Sequence, residues 1–262
     1  MIDFVRKESY GLKDLEEIVS LLRAPGGCPW DGEQTHESLR RGLLEESYEV
    51  VEAIDEARPE HLKEELGDVL LQVVFHADIE KDAGRFTLDD VADGICKKLI
   101  FRHPHVFGDT AVTGSDEVLV NWEELKREEK GQQTYTDTLT AVARSLPALW
   151  RAEKVQKKAK KAGFDWPDAS GAVDKLSEEL EELKEAMAQG TNIEEELGDL
   201  LFAAVNVSRF VKADPEEALT AATDKFISRF RKVEAFAAQE GRDMAQMGLS
   251  ELDQLWERAK RT

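Results

Sequence analysis

The chain has 262 residues, 41% of them hydrophobic, with 35 Lys and Arg against 55 Asp and Glu, a net charge of −20. This length suggests two domains, and the hydrophobic fraction is enough for buried cores and excludes wholesale disorder. The acidity argues against a partner built of phosphate backbone, because nucleic acid is held by clustered Lys and Arg, and against docking on an anionic membrane.

No stretch of roughly 18 apolar residues spans a bilayer, and Met1–Glu8 lacks the order of a secretion signal. Cys28 and Cys96 are too few and too scattered for a disulfide framework or a zinc cage. A cytoplasmic protein is expected.

Along the chain, apolar residues recur at helical spacing. Leu15, Ile18, Leu21 and Leu22 come first, then Leu43, Leu44, Val50, Val51 and Ile54, then Leu66, Val69, Leu70, Val73 and Val74. Residues 110–120 are the best strand candidate, and a weak one. The pattern returns at Leu176, Leu180 and Leu183 and again at Leu197, Leu200, Leu201, Val205 and Val207. The expected fold class is all-α.

Five features occur twice in the same order. Glu64-Glu65-Leu66-Gly67-Asp68 reappears as Glu195-Glu196-Leu197-Gly198-Asp199, and Glu45-Glu46-Ser47-Tyr48-Glu49 is answered by Glu178-Glu179-Leu180-Glu181-Glu182. Pro29-Trp30-Asp31 has a looser echo in residues 164–168. Lys98 with Arg102 is echoed by Lys225 with Arg229, and Trp122 by Trp256. The chain therefore reads as a duplicated helical-bundle unit. The first copy is expected at 1–130, a polar linker at 131–139 and the second copy at 140–262.

Each unit contains a break between its acidic clusters, Asp55–Glu60 with Pro59 in the first and Gln189-Gly190-Thr191-Asn192 in the second. Gly190 suits a helix stop and Asn192 an N-cap. Folding the chain back at these breaks brings Glu49 level with Glu65 and Glu46 level with Asp68. It likewise brings Glu182 level with Glu196 and Glu179 level with Asp199. Within each helix the acids are three apart and share one face. Four carboxylates then converge within about 5 Å of rise. Such a cluster repels itself unless a hard divalent cation neutralises it, and all-oxygen ligation suits Mg²⁺, with Mn²⁺ possible. Gly67 and Gly198 cost about 1 kcal/mol each in a helix interior, suggesting close approach by a helix or ligand, although packing would also explain them.

A ligand with its own negative charge, most simply a polyphosphate, fits such a site if fixed cations accompany the metal. Lys98 with Arg102 and Lys225 with Arg229 are four apart and face one way. Lys175, one turn ahead of Glu179, is a further phosphate candidate. Trp122 and Trp256 suit either base stacking or a core. The run Lys157, Lys158, Lys160, Lys161 reads as a solvated helix face, and His103 and His105 as a structured loop. All five histidines lie at or before position 105, so chemistry shared by both copies cannot depend on His. No Walker loop, dinucleotide fingerprint or serine elbow is present.

The motif Glu-Glu-x-x-Glu followed by Glu-x-x-Asp resembles that of the MazG nucleoside triphosphate pyrophosphohydrolases, of the all-α NTP pyrophosphatase superfamily. It stands here at 45-46-49 with 65-68 and at 178-179-182 with 196-199. Residues 25–31, residues 101–109 and the duplicated layout resemble the two-repeat form. The resemblance implies a homodimer that hydrolyses NTPs and dNTPs to monophosphate and pyrophosphate with Mg²⁺. By it, Glu179, Glu182, Glu196 and Asp199 hold metal, with Glu178 near a second ion. Lys175, Lys225 and Arg229 contact phosphates, and Trp256 the nucleotide. The first copy offers Glu45, Glu46, Glu49, Glu65 and Asp68 for metal, with Lys98, Arg102 and Trp122 beside them. Both units keep their acids; the lysines favour turnover in the second. Two other readings are a different metal-dependent diphosphate hydrolase, of which residues 61–67 keep only a fragment of the Nudix motif, and an acidic helical adaptor without catalysis.

Overall fold

The computed structural model describes residues 4–112, 114–129 and 131–261. Every regular element among them is helical, and the contacts divide the chain into two compact units, Met1–Lys126 and Arg127–Thr262.

In the first unit, α1 (Leu12–Arg23) leads through the single turn of α2 (Pro29–Gly32) to α3 (His36–Asp55) and α4 (Pro59–Asp82). Thr35 caps α3, its hydroxyl accepting from the Ser38 amide, and Pro59 opens α4 at a first-turn position that needs no N–H donor. The chain thus stops and restarts at the expected break, and α3 packs against α4 as a hairpin. α1 closes over α4, burying Val19, Leu39, Val74, Phe75, Ala77 and Leu88 as one core. Arg23 and Asp78 tie α1 to α4 through a buried ion pair at 2.5 Å. α5 (Leu88–Arg102) and α6 (Pro104–Phe107) follow, and α7 (Ser115–Glu129) begins in this unit and ends three residues past Lys126. The weak strand candidate at 110–120 is corrected by α7, whose helix begins at Ser115; alternation over so few residues does not decide between strand and helix.

The second unit repeats the hairpin. α8 (Tyr135–Thr140) begins inside the polar segment 131–139, followed by α9 (Ala148–Lys161), α10 (Ala169–Gln189) and α11 (Ile193–Val211). Gly190 ends α10 at φ 72°, the left-handed geometry that glycine adopts without strain. Asn192 occupies the N-cap position of α11 but at φ 56°, and its side chain makes no capping bond. Both ends of this short turn take left-handed backbone, whereas a capping Asn ordinarily sits in extended backbone. α12 (Pro215–Gln239) and α13 (Leu249–Lys260) pack on each other around Val233, Ala237, Leu255 and Ala259.

Candidate active site

Each hairpin brings three of its four expected acids together. In the second unit, oxygens of Glu179 on α10 and of Glu196 and Asp199 on α11 all lie within 4.8 Å of one another. Glu179 is buried, Glu196 half-buried and Asp199 exposed. Glu182, one turn beyond Glu179 on α10, lies outside this group of three but hydrogen-bonds to Glu179. Burial first, and that neighbouring carboxyl second, push its carboxyl above the ordinary range. In the first unit a different three of the four acids meet, Glu46 and Glu49 on α3 with Glu65 on α4, again within 4.8 Å. Asp68 stands beside it: desolvation and then the Asp68 charge raise Glu46, and desolvation and then Glu49 raise Glu65. Acids raised by burial and by one another are what an unneutralised cation site produces. The donor set is all oxygen, as Mg²⁺ and Mn²⁺ prefer, so these residues fit a hard divalent ion.

The two clusters differ in what steadies them. Lys175 Nζ lies 2.7 Å from both Glu178 Oε1 and Glu179 Oε1, and these bonds hold its ammonium well above its ordinary value. Glu178 is thereby tied to the cluster through the lysine. The same register position in the first unit is Gly42, three residues before Glu45. There, His61 on α4 instead bridges Glu65, at 3.1 Å, and Glu56, at 2.8 Å. Sequence reasoning passed over His61, although its place four residues before Glu65 was a readable signal. Glu45 pairs with Arg41 at 2.6 Å and is exposed.

The remaining candidates lie on other helices. Lys225 and Arg229 are on α12 and Trp256 on α13, where the Trp256 ring meets Phe226 at 5.0 Å between centroids and packs on the α12–α13 core. Lys98 is exposed on α5. Arg102 is buried at the end of α5, its guanidinium 5.1 Å from the centre of the Trp122 ring on α7. His103 sits between α5 and α6, with Nδ1 2.6 Å from the Leu99 carbonyl, whereas His105 lies in the single turn of α6 and not in the loop read for it, because Pro104 opens a helical turn there. Within the lysine run, Lys157 pairs with Glu153 at 2.7 Å on the α9 surface.

A cavity of about 630 Å³ adjoins the second cluster, with Lys175, Glu179 and Asp199 in its wall. Its other walls come from α9, α11 and the 163–166 turn, including Gln156, Phe202, Asn206 and Trp166. None of these four stood out in the sequence as a site residue.

The MazG nucleotide pyrophosphohydrolase domain fits the chain twice, at residues 34–107 and 170–234. The chain belongs to the MazG family. It is 48% identical to the Nucleoside triphosphate pyrophosphohydrolase/pyrophosphatase MazG of Thermotoga maritima, over 94% of this chain and 95% of that one. It is 43% identical to the Nucleoside triphosphate pyrophosphohydrolase of Escherichia coli K12, over 93% and 95%. YabN of Bacillus subtilis, an uncharacterized protein, is 50% identical over 94% of this chain but only 50% of its own length. The two matched MazG segments contain both hairpins and every carboxylate of the two clusters.

Proposed function

We propose that this protein is a hydrolase that converts nucleoside triphosphates, ribo or deoxyribo, to the monophosphate and pyrophosphate, with Mg²⁺ as cofactor and Mn²⁺ as a substitute. The observation that carries the reading is the joining of Lys175 to the three-carboxylate group of α10 and α11. Acids alone would suit a cation; acids with a fixed ammonium suit a cation and a polyphosphate together. The names of the Thermotoga and Escherichia relatives point the same way.

Glu179, Glu182, Glu196 and Asp199 would hold the ion, with Glu178 available to a second. A divalent ion bound there supplies charge neutralisation and acidifies water. A glutamate of the cluster takes the proton of the water that attacks the α-phosphorus; the new P–O bond forms as the bond to the β-phosphate oxygen breaks. Lys175, Lys225 and Arg229 receive the charge that develops on the departing pyrophosphate. Trp256 contacts the nucleotide.

The second unit, the 140–262 copy, is proposed as the one that turns over, and the first, 1–130, as mainly a dimerising unit. Lys175 has no counterpart at Gly42, which supports that assignment. A homodimer is proposed because both hairpins leave apolar stripes uncovered. Leu44, Tyr48 and Val51 are exposed on α3, Leu66 and Leu70 on α4, and Leu197 and Leu201 on α11. No described helix is long and apolar enough to cross a membrane, and the net charge of −20 supports a cytoplasmic protein without a nucleic-acid partner.

Incubation with each NTP, with and without Mg²⁺, and analysis of the products tests the reading. Monophosphate and pyrophosphate, only with the metal, is the expected result. Diphosphate and phosphate would point to another anhydride hydrolase, and no product to the adaptor.

A further inference from the structure

The cavity beside the second cluster is built for more than a triphosphate. Its volume of about 630 Å³ lies within the range of roughly 300–1,000 Å³ that small-molecule sites span. Lys175, Glu179 and Asp199 account for one part of its wall; Val155, Ala159, Phe202 and Ala203 make most of the rest apolar. Trp166 lies so close to Gly171, on the first turn of α10, that a methyl group there would overlap its indole ring. The backbone of α10 thus fixes an aromatic face in the cavity wall.

Two amides interrupt the apolar surface, and their orientations follow from their bonds. Gln156 on α9 is 5% exposed. Its Nε2 donates to the Phe202 carbonyl at 2.8 Å, and its Oε1 has no partner. Asn206 on α11 is also buried. Its Oδ1 accepts from Arg209 Nε at 2.8 Å and from Nη2, so Nδ2 is the group left to meet a ligand. Arg209 is held in turn by Asp165 at 2.6 Å. A buried acceptor without a donor is costly unless a ligand satisfies it.

Resting on the pyrophosphohydrolase reading of the adjoining acids, we infer that this cavity receives the base of the nucleotide, with Gln156 Oε1 accepting an N–H from its edge and Asn206 Nδ2 donating to a carbonyl or ring nitrogen. Apolar walls and an indole face suit a flat heteroaromatic ring, and one acceptor with one donor suits an edge that carries an N–H beside a lone pair. The duplication supplies the contrast. The register that pairs Glu196 with Glu65 and Asp199 with Asp68 sets Phe75 at the place of Asn206, and Phe75 is 5% exposed in the core of the first unit. A ring of the protein's own fills the space that the second unit leaves open.

Steady-state kinetics on the four ribonucleoside triphosphates with Asn206→Phe and Asn206→Asp test the inference. Asn206→Phe, which installs the residue of the first unit, raises KM about 10-fold or more for every nucleotide, and leaves competitive inhibition by inorganic triphosphate unchanged. Asn206→Asp keeps the size and the Arg209 contact but replaces the donor with an acceptor; it reorders the bases by about 10-fold in kcat/KM. Kinetics and base ranking identical to wild type in both variants would overturn the inference and leave the proposed function standing. If the wild type releases no pyrophosphate, the proposed function fails instead, and nucleoside quenching of Trp166 fluorescence judges the cavity. Quenching that disappears in Asn206→Phe and in a Trp166→Phe control supports a base pocket, and no quenching in the wild type refutes it.

Discussion

Lys175 Nζ makes equal contacts of 2.7 Å with Glu179, a buried member of the three-carboxylate group, and with Glu178, an exposed neighbour outside it. One ammonium therefore offsets part of the repulsion that a cluster without a metal would suffer, and stands ready to exchange carboxylate partners for phosphate oxygens. Such an exchange is favourable only when a cation arrives to take over the carboxylates.

Lys175→Ala is expected to lower kcat/KM for nucleotide by about 10- to 100-fold, the worth of one or two charge-assisted hydrogen bonds. The same change leaves Glu179 without its cation, so the metal concentration giving half-maximal residual activity falls. Titration of activity with Mg²⁺ in both proteins reads the two effects separately. Unchanged nucleotide kinetics would remove Lys175 from the phosphate site.

Two acidic clusters predict two separable consequences of metal binding. Glu179→Gln with Glu182→Gln abolishes turnover, whereas Glu46→Gln with Glu49→Gln keeps most of it and loses part of the Mg²⁺-induced rise in melting temperature. A ligand at 100 times its dissociation constant stabilises its site by about 2.7 kcal/mol, an effect that thermal denaturation resolves. Loss of turnover only in the first-unit variant would reverse the assignment of the active copy.

The hairpin, its break points and the level pairing of acids were legible because they follow from helix periodicity and from Pro59 and Gly190, all local features. The cavity was not. It depends on Gln156, Trp166 and Asn206, which are 10 and 40 residues apart in the chain and meet only through packing of α9, α10 and α11. A single polar residue on an apolar face carries no local signature of what it faces. Asn192 illustrates the opposite failure: a correct N-cap position whose backbone the short turn had already committed to φ 56°.

Apart from the glycines themselves, their chain neighbours and the backbone of their own helical turns, Gly67 and Gly198 have no described atom within 4 Å of where a Cβ would stand. Close approach within the protomer is therefore not their purpose, and the open space fits a second copy or a ligand. Gly198→Ala should raise intrinsic helix stability by about 1 kcal/mol. If a second copy packs there, the substitution weakens association instead. Sedimentation equilibrium alongside thermal denaturation distinguishes the two. A more stable protein with undiminished association and activity would show that the glycine faces neither partner nor substrate.

Acid should weaken the first unit through a chain of groups joining α3, α4 and the turn after it. His36 Nδ1 lies 2.7 Å from His76 Nδ1, and His36 Nε2 lies 2.5 Å from Glu80, which Arg85 also holds. Hydrogen bonds from Arg85 first and His36 second depress Glu80 from 4.5 to about 2. Burial, and then the adjacent His36, push His76 below its ordinary 6.5. Both signs run the same way. A histidine held below its unfolded value resists protonation in the folded state, so its stability contribution is present above 6.5 and declines as pH falls past it. The depressed glutamate contributes above 4.5 and loses that contribution as pH falls toward about 2. Melting temperature should therefore fall in two stages on acidification. His76→Asn removes the earlier stage, near pH 6, and Glu80→Gln the later one. A profile that keeps both stages in both variants would place the acid sensitivity elsewhere, with the carboxylate clusters the first groups to test by adding Mg²⁺.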